Sequence, residues 1–71
     1  MVKPTRVTNS IRAHREKRGI TQAELARRIG VTRQTLLAIE GERYSPTLEL
    51  AFQIAREFEV PLGDVFEYPS T

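Results

Sequence analysis

Apolar residues recur with helical spacing in two short segments near the middle of the chain, at Leu25, Ala26 and Ile29 and then at Leu36 and Ile39. A threonine precedes each segment, Thr21 and Thr32, and a threonine hydroxyl can cap the first turn of a helix. Gly30 lies between the segments and suits the left-handed conformation in which many helices end. The pattern therefore predicts helices over residues 22–29 and 33–40, joined by a tight turn.

Two more helices are predicted on either side of this pair. The first begins near Asn9, a favourable N-cap, and ends by Gly19. The other begins at Thr47, or two residues earlier, and continues through Glu59. Its apolar residues extend beyond a single stripe, which predicts burial over much of its circumference and a place at the centre of the core. They are Leu48, Leu50, Ala51, Phe52, Ile54, Ala55 and Phe58.

The ends of the chain carry shorter elements. Pro61 can open a fifth helix over residues 62–66. The β-branched residues near the N-terminus favour an extended segment over residues 1–8, which could pair with the tail around residues 66–68 as a small ribbon. We predict an all-α fold of five helices that forms one domain over the whole chain, residues 1–71, with this two-stranded β-ribbon added at its ends.

Charge is divided unevenly along the chain. Residues 1–43 contain ten basic and four acidic residues, whereas residues 44–71 contain one basic and five acidic residues. One explanation is a basic half that faces a polyanion and an acidic half turned away from it, which favours a nucleic-acid partner. The alternative is ordinary solvated charge, which small proteins often distribute unevenly.

Several classes of function are disfavoured by what the sequence lacks. It has no cysteine, no Gly-rich phosphate loop and no apolar run near the roughly 18 residues of a membrane span. The one histidine, His14, has no nucleophile, carboxylate or further ligand at a usable spacing, so we interpret it as a packed structural residue. We expect a cytoplasmic protein, nucleoid-associated when bound to DNA, that is not an enzyme and uses no metal, cofactor or small-molecule ligand.

The first turn of the second motif helix carries side chains that can read DNA bases. Arginine can hydrogen-bond guanine, glutamine can hydrogen-bond adenine, and the methyl groups of threonine and alanine can contact thymine. The candidates for base contact are Arg33, Gln34, Thr35 and Ala38. Polar residues are common at any exposed helix start, but within a capped pair of helices we favour base contact.

A second set of residues is suited to DNA phosphates. Gln22 lies at the N-terminus of a predicted helix, where unpaired N–H groups and a partial positive charge attract anions. The candidates for phosphate contact are Gln22, Arg43, Tyr44, Ser45, Arg12 and Lys17. Each of them could equally be solvated surface. Phosphate contacts would set affinity and its salt dependence rather than sequence preference.

Arg15 and Glu40 are charged, yet both fall on the inward-facing stripes of their predicted helices. We predict a salt bridge between them that holds the first helix against the third. This role is structural, because removing either partner would leave the other charge buried and unpaired.

The segment TQAELARRIGVTRQTLLAIE resembles the helix-turn-helix signature of the Cro/C1-type (XRE) repressor family. The matching positions are Gln22, Ala26, Gly30, Leu36 and Ile39. The resemblance covers about residues 9–68, with the motif at about 21–41, and extends to the short, single-domain members. It implies a λ-repressor-like domain that binds duplex DNA as a homodimer, with the contacts and the salt bridge proposed above. In the short members the dimer forms through the C-terminal region, which here comprises Leu62, Val65 and Phe66.

Two positions depart from the family pattern. The family commonly has Glu-Asn-Gly after the third helix, whereas this chain has Glu40, Gly41 and Glu42. The glycine therefore comes one residue early, and an acidic residue lies near the expected phosphate. The family usually has leucine or isoleucine where His14 stands, which predicts different packing of the first helix.

The sequence favours a DNA-binding transcriptional regulator, most simply a repressor that binds an inverted repeat as a homodimer. The alternative is an antitoxin-like protein-interaction module with secondary DNA binding. That alternative usually needs a separate binding segment, for which this chain has little spare length.

Overall fold

The computed structural model describes residues 5–69, which fold into four α-helices, a short 3-10 turn and a two-stranded ribbon. The elements in chain order are β1 Thr8–Asn9, α1 Ile11–Lys17, α2 Gln22–Ile29, α3 Arg33–Glu40, α4 Leu48–Phe58, the 3-10 turn Leu62–Asp64 and β2 Phe66–Glu67. The predicted all-α class is confirmed, and the predicted fifth helix is only partly formed. Within these residues, no helix is long and apolar enough to cross a membrane.

The two motif helices begin and end where their sequence signals predict. The Thr21 hydroxyl accepts a hydrogen bond from the Glu24 N–H at 3.1 Å, and the Thr32 hydroxyl accepts one from the Thr35 N–H at 3.1 Å. Gly30 ends α2 in the left-handed region, with φ of 75°. A side chain there would strain the backbone, so glycine is favoured at this turn.

The core is built from apolar side chains of all four helices and the segment after α4. These residues are Ile11, Leu25, Ala26, Ile29, Leu36, Ile39, Ile54, Ala55, Phe58 and Val65. Fully burying one large apolar side chain stabilises the fold by about 1.5–3 kcal/mol. With Ile54, Ala55 and Phe58, α4 supplies a large share of this core and packs against α2 and the 3-10 turn.

The expectation that α4 is buried on much of its circumference is wrong. Leu48 is 69% exposed and Phe52 is 53% exposed. Leu48 is the first residue of the helix, one turn ahead of Ala51, where burial along α4 begins. The buried stripe is therefore confined to one side of the helix, and two large apolar side chains face solvent.

The start of α1 differs from the prediction. Asn9 is not the N-cap, because it lies in β1, and the helix begins at Ile11 after Ser10. The Asn9 side chain instead connects two elements: its Oδ1 accepts from the Ile11 N–H at 3.1 Å and its Nδ2 donates to the Ile39 carbonyl at 2.9 Å. The residue that looked like a cap thus ties the start of α1 to α3.

The predicted helix over residues 62–66 is a 3-10 turn that ends at Asp64, and Phe66 begins β2. The chain leaves helical geometry there because β2 pairs antiparallel with β1, with Thr8 opposite Glu67 and Asn9 opposite Phe66. The predicted ribbon between the two ends is therefore present. Residues 1–4 of the predicted N-terminal extended segment lie outside the described residues.

Candidate nucleic-acid interface

The first turn of α3 presents two fully polar side chains to solvent. Arg33 and Gln34 are exposed, whereas Thr35 and Ala38 are half-buried. The Thr35 hydroxyl lies 3.0 Å from the Thr32 hydroxyl, so it is engaged in the helix cap. Of the four candidates for base contact, Arg33 and Gln34 are thus the most accessible.

Arg33 is held by the start of α2. Its Nη2 donates to Oε1 of Gln22 at 3.3 Å, and Nε2 of Gln22 donates to Oε1 of Glu40 at 3.4 Å. The Gln22 amide therefore bridges an exposed arginine and a carboxylate inside the fold. This hydrogen bond restrains the Arg33 guanidinium beside Gln22 at the start of α2.

Glu40 is the inner end of this network, and Arg15 is its principal partner. The Arg15 guanidinium donates from Nε to Oε2 at 3.1 Å and from Nη2 to Oε1 at 3.4 Å. The two side chains are only 11% and 8% exposed. Arg15 also donates to the Ile20 carbonyl at 3.2 Å. Every strong polar group of the pair has a partner, which is what a buried ion pair requires.

An open depression lies where α1, α2 and α3 meet, and this polar network forms part of its lining. It is lined by residues of all three helices and the turns beside them: Arg12, Arg15, Glu16, Thr21, Gln22, Ala23, Arg33, Leu37, Glu40 and Gly41. Three of its five charged side chains are basic, and two of these, Arg12 and Arg15, are paired with Glu16 and Glu40. The depression collects Arg12, Gln22 and Arg33, three of the residues that the sequence assigned to DNA.

Sequence reasoning overlooked Leu37 as part of this surface. Its side chain is 42% exposed and lines the depression. The signal was available, because Leu37 follows Arg33 by four residues and so lies on the same face of α3. An exposed leucine beside an arginine can contact a thymine methyl group.

The phosphate candidates of α1 have different surroundings. Arg12 donates from Nε to Oε2 of Glu16 at 2.9 Å, across side chains that are 75% and 58% exposed. This hydrogen bond, together with the attraction between the two charges, lowers the pKa of Glu16 and raises the pKa of Arg12. Arg12 is therefore partly neutralised, whereas Lys17 is exposed at the end of α1.

The loop after α3 accommodates the early position of Gly41. Gly41 has φ of −82°, whereas Glu42 takes the left-handed conformation with φ of 60°. The left-handed position is therefore occupied by a glutamate. A Cβ on Gly41 would lie 3.2 Å from the Leu37 carbonyl oxygen, a tight contact. Glycine therefore allows the backbone to approach α3 closely at that position. The Glu42 carboxylate accepts from the Asn9 N–H at 3.3 Å.

The remaining phosphate candidates follow Glu42. Arg43, Tyr44 and Ser45 are exposed, and the Tyr44 side chain is 43% exposed. The Arg43 N–H donates to the Ala38 carbonyl at 3.0 Å, which ties the loop to the last turn of α3. The structure thus presents these three side chains on one accessible loop beside α3.

The C-terminal residues assigned to a dimer interface are less accessible than expected. Val65 is 1% exposed within a single chain and belongs to the core, so its surface is not available for the predicted contact in this form of the protomer. Leu62 and Phe66 are half-buried and pack against that core. The part of their surface that remains exposed keeps both as candidates for a contact between copies.

His14 is a packed residue, as predicted. Its ring stacks on Phe58 with centroids 5.2 Å apart, and Nε2 lies 3.0 Å from the Asp64 carbonyl oxygen. Arg18 covers the same phenyl ring at 5.1 Å. Among residues 5–69, no group of histidine, cysteine and carboxylate side chains could hold a metal ion.

Comparison with known proteins gives a consistent picture. A model of a helix-turn-helix family matches residues 11–65. An uncharacterized HTH-type transcriptional regulator of Methanocaldococcus jannaschii, MJ0272, is 45% identical over 60 residues, which cover 84% of this chain and 91% of that protein. Antitoxin HipB of Escherichia coli K12 is 32% identical over 59 residues, covering 83% of this chain and 67% of HipB.

The fold is also found among solved structures. The crystal structure of NHTF, a hypothetical transcription factor from Neisseria, superposes with a TM-score of 0.71 at 30% sequence identity. The match covers 76% of this chain and 61% of NHTF. The arrangement of helices described above is therefore shared with a protein of related sequence.

Proposed function

Since the chain belongs to the helix-turn-helix family, as its motif predicted, we propose that it is a sequence-specific DNA-binding protein that represses transcription. Its relative MJ0272 is named as an HTH-type transcriptional regulator, which supports a regulatory role. The proposed form is a homodimer on an inverted-repeat operator, with one α3 in each of two successive major grooves. Half-sites would then lie about one helical turn (~34 Å) apart.

The exposed first turn of α3 is the observation that carries this proposal. Arg33 and Gln34 project from a capped helix start, and Gln22 restrains the guanidinium of Arg33 from the start of α2. A restrained arginine loses less side-chain entropy when it hydrogen-bonds guanine. Thr35, Ala38 and Leu37 lie on or beside the same surface and would contribute through their methyl groups.

Phosphate contacts would position the helix on the duplex. Gln22 lies at the N-terminus of α2, and Lys17 and Arg12 lie on α1. The exposed side chains Arg43, Tyr44 and Ser45 lie on the loop that follows α3. The helix dipole and unpaired N–H groups favour an anion at the start of α2. Glu42 is directed toward Asn9 rather than left free in the loop, which reduces its repulsion of a phosphate.

The test compares base and phosphate variants on a duplex enriched from random DNA. Arg33→Ala and Gln34→Ala should each reduce discrimination at particular base pairs by about 1–3 kcal/mol. Arg43→Ala should instead weaken binding to all sequences. It should also reduce by about one the slope of the logarithm of the binding constant against the logarithm of salt concentration. Fluorescence anisotropy measures both effects.

A matched control is Arg27→Ala, which removes an exposed arginine of α2 outside the candidate surface. It should leave base preference unchanged. If Arg33→Ala and Gln34→Ala also retained the wild-type base preference, α3 would not be the reading element.

The resemblance to antitoxin HipB supports a second candidate, in which the chain masks a partner protein and binds DNA secondarily. HipB is less similar to this chain than MJ0272 is, so we favour regulation as the main role. Co-purification with the product of the adjacent gene, tested in the presence and absence of operator DNA, distinguishes the two. A stable complex that abolished a toxic activity would favour the antitoxin role.

A further inference from the structure

Leu37 is the one exposed apolar side chain of α3. It is 42% exposed, whereas Leu36 and Ile39 are buried in the core and Ala38 is half-buried. Single apolar residues are ordinary on protein surfaces, so exposure alone assigns no role to Leu37. Its position on the helix is more informative, because it lies among the residues proposed to read DNA.

Around the circumference of α3, Leu37 lies between Arg33 and Gln34. Successive residues of an α-helix are rotated by about 100°, so Leu37 lies about 40° from Arg33 and about 60° from Gln34. The next residue on this face is Gly41, four residues on, which has no side chain to cover Leu37. Leu37 therefore forms the apolar centre of an exposed arc on which both proposed base-reading side chains are polar.

Arg33 gives this face a reference point. Its Nη2 donates to Oε1 of Gln22 at 3.3 Å, and a guanidinium has further N–H donors with which to bind guanine O6 and N7. Leu37 lies four residues further along α3, a rise of about 6 Å. Base pairs are stacked about 3.4 Å apart, so this displacement corresponds to no more than about two base-pair steps from that guanine.

We propose that Leu37 is a specificity-determining residue that contacts the C5-methyl group of a pyrimidine within about two base pairs of the guanine bound by Arg33. Among the unmodified bases only thymine presents a methyl group in the major groove, and 5-methylcytosine presents the same group at the same place. The ligand class is therefore a C5-methylated pyrimidine. This assignment rests on the proposed function, since it requires α3 to enter the major groove. It adds that part of the sequence preference comes from a methyl group rather than from hydrogen bonds.

Thr35 and Ala38 also carry methyl groups near this face, but they are less suited to the contact. Both residues are half-buried, and the Thr35 hydroxyl lies 3.0 Å from the Thr32 hydroxyl in the helix cap. Leu37 offers a larger apolar side chain on the exposed arc. Burying one methyl group against DNA strengthens binding by about fourfold, which sets the size of the expected effect.

Deoxyuridine tests the contact, because it differs from thymidine only by lacking the C5-methyl group. The duplex that wild type enriches from random DNA is remade with each thymine of one half-site, on either strand, replaced singly by uracil. In anisotropy titrations, one replacement within about two base pairs of the position at which Arg33→Ala loses preference should weaken wild-type binding about fourfold. Leu37→Ala should bind the thymine and uracil duplexes equally. Leu37→Met keeps an apolar side chain and should retain part of the response.

5-Methylcytosine provides the converse test. At the responsive position, a 5-methylcytosine–guanine pair should bind wild type about fourfold more tightly than a cytosine–guanine pair, because the two pairs differ only in the methyl group. Leu37→Ala should not distinguish them. The matched control is Leu48→Ala, which shortens an exposed leucine of α4 outside the DNA candidates and should respond to both modified bases as wild type does. Since Leu37 is also exposed, Leu37→Ala should keep its helical circular dichroism.

The inference is overturned if the half-site has no thymine within about two base pairs of that guanine, if no uracil replacement weakens wild-type binding, or if Leu37→Ala keeps the response. It is also overturned if Thr35→Ser, which removes a methyl group and keeps the cap hydroxyl, abolishes the response while Leu37→Ala does not. In each of these cases wild type still binds DNA with a base preference, so the proposed function stands. Failure of wild type to enrich any sequence would overturn both.

Discussion

The ends of α2 and α4 share one backbone geometry but are encoded differently. α2 ends at Gly30 with φ of 75°, whereas α4 ends at Glu59 with φ of 59°. Glycine adopts this region freely, while a glutamate there is strained. The motif helix α2 thus carries its stop signal in the residue itself. α4 has no such residue at its end. Both helices are closed by the same kind of hydrogen bond, from the Val31 N–H to the Ala26 carbonyl in α2 and from the Val60 N–H to the Ala55 carbonyl in α4, and only α4 is followed by a proline, Pro61.

The same contrast applies to packing. The buried ion pair of Arg15 and Glu40 joins α1 to α3. By contrast, α2 is linked to α4 through Arg28 and Glu57, which lie 3.7 Å apart and whose side chains are 40% and 33% exposed. A buried pair depends on both partners, whereas an exposed pair is screened by water. The two regions should therefore respond very differently to loss of one charge.

The largest expected effect is the removal of the buried carboxylate. Glu40→Ala should destabilise the fold by about 3–5 kcal/mol, because Arg15 is left without its partner. Glu57→Ala, the matched change at the α2–α4 link, should cost below about 1 kcal/mol. Urea unfolding measures both. Equal costs would mean that the two regions are not held together differently.

Gly30→Ala should be the next largest change. No atom lies within 4 Å of the Cβ that alanine would add, so only backbone strain opposes the substitution. The left-handed conformation costs an L-residue roughly 1–2 kcal/mol. Thermal unfolding should therefore occur at a lower temperature. An unchanged melting temperature would show that the turn relaxes out of the left-handed region.

The converse change at α4 should be smaller and of opposite sign. Glu59→Gly relieves the left-handed strain but adds freedom to the unfolded chain, so the net gain should be below about 1 kcal/mol. Glu59→Ala serves as the control, since it removes the same carboxylate and keeps the strain. If both variants had the same stability, the side chain rather than the backbone would govern this position.

The smallest effect concerns pH. Hydrogen bonds from Arg27 and then Arg28 lower the pKa of Glu24 from 4.5 to about 2. A carboxylate with a lowered folded-state pKa stabilises the fold above its unfolded pKa and loses that contribution as pH falls toward the folded value. The free energy of unfolding should therefore fall as pH is lowered from about 4.5 to about 2. In urea unfolding at several pH values, Glu24→Gln should reduce the slope of that dependence. An unaltered slope would show that other carboxylates govern acid unfolding.

Local signals explain which parts of the fold could be predicted. The caps Thr21, Thr32 and Thr47 act within their own first turns, so their sequence positions determine where α2, α3 and α4 begin. Asn9 also has a cap-like sequence, but its side chain bonds to Ile39, thirty residues away. Contacts of that range cannot be read from a local pattern.

The candidate site likewise has parts set by local signals and parts set by long-range contacts. Arg33 and Gln34 could be selected from their place in the motif, and the inward spacing of Arg15 and Glu40 predicted their pairing. The Gln22 bridge between Arg33 and Glu40 could not be predicted, because it depends on side-chain rotamers across three elements. The exposure of Leu48 and Phe52 was also missed, since periodicity does not reveal how far the core extends along α4.

Selection of bound sites from random duplex DNA tests the central proposal most directly. Wild-type protein should enrich an inverted repeat whose half-sites lie about one helical turn (~34 Å) apart. The Arg33→Ala variant, selected in parallel, should lose preference at one symmetric pair of positions while keeping the repeat. Recovery of no common sequence by the wild-type protein would contradict the proposal that α3 reads DNA.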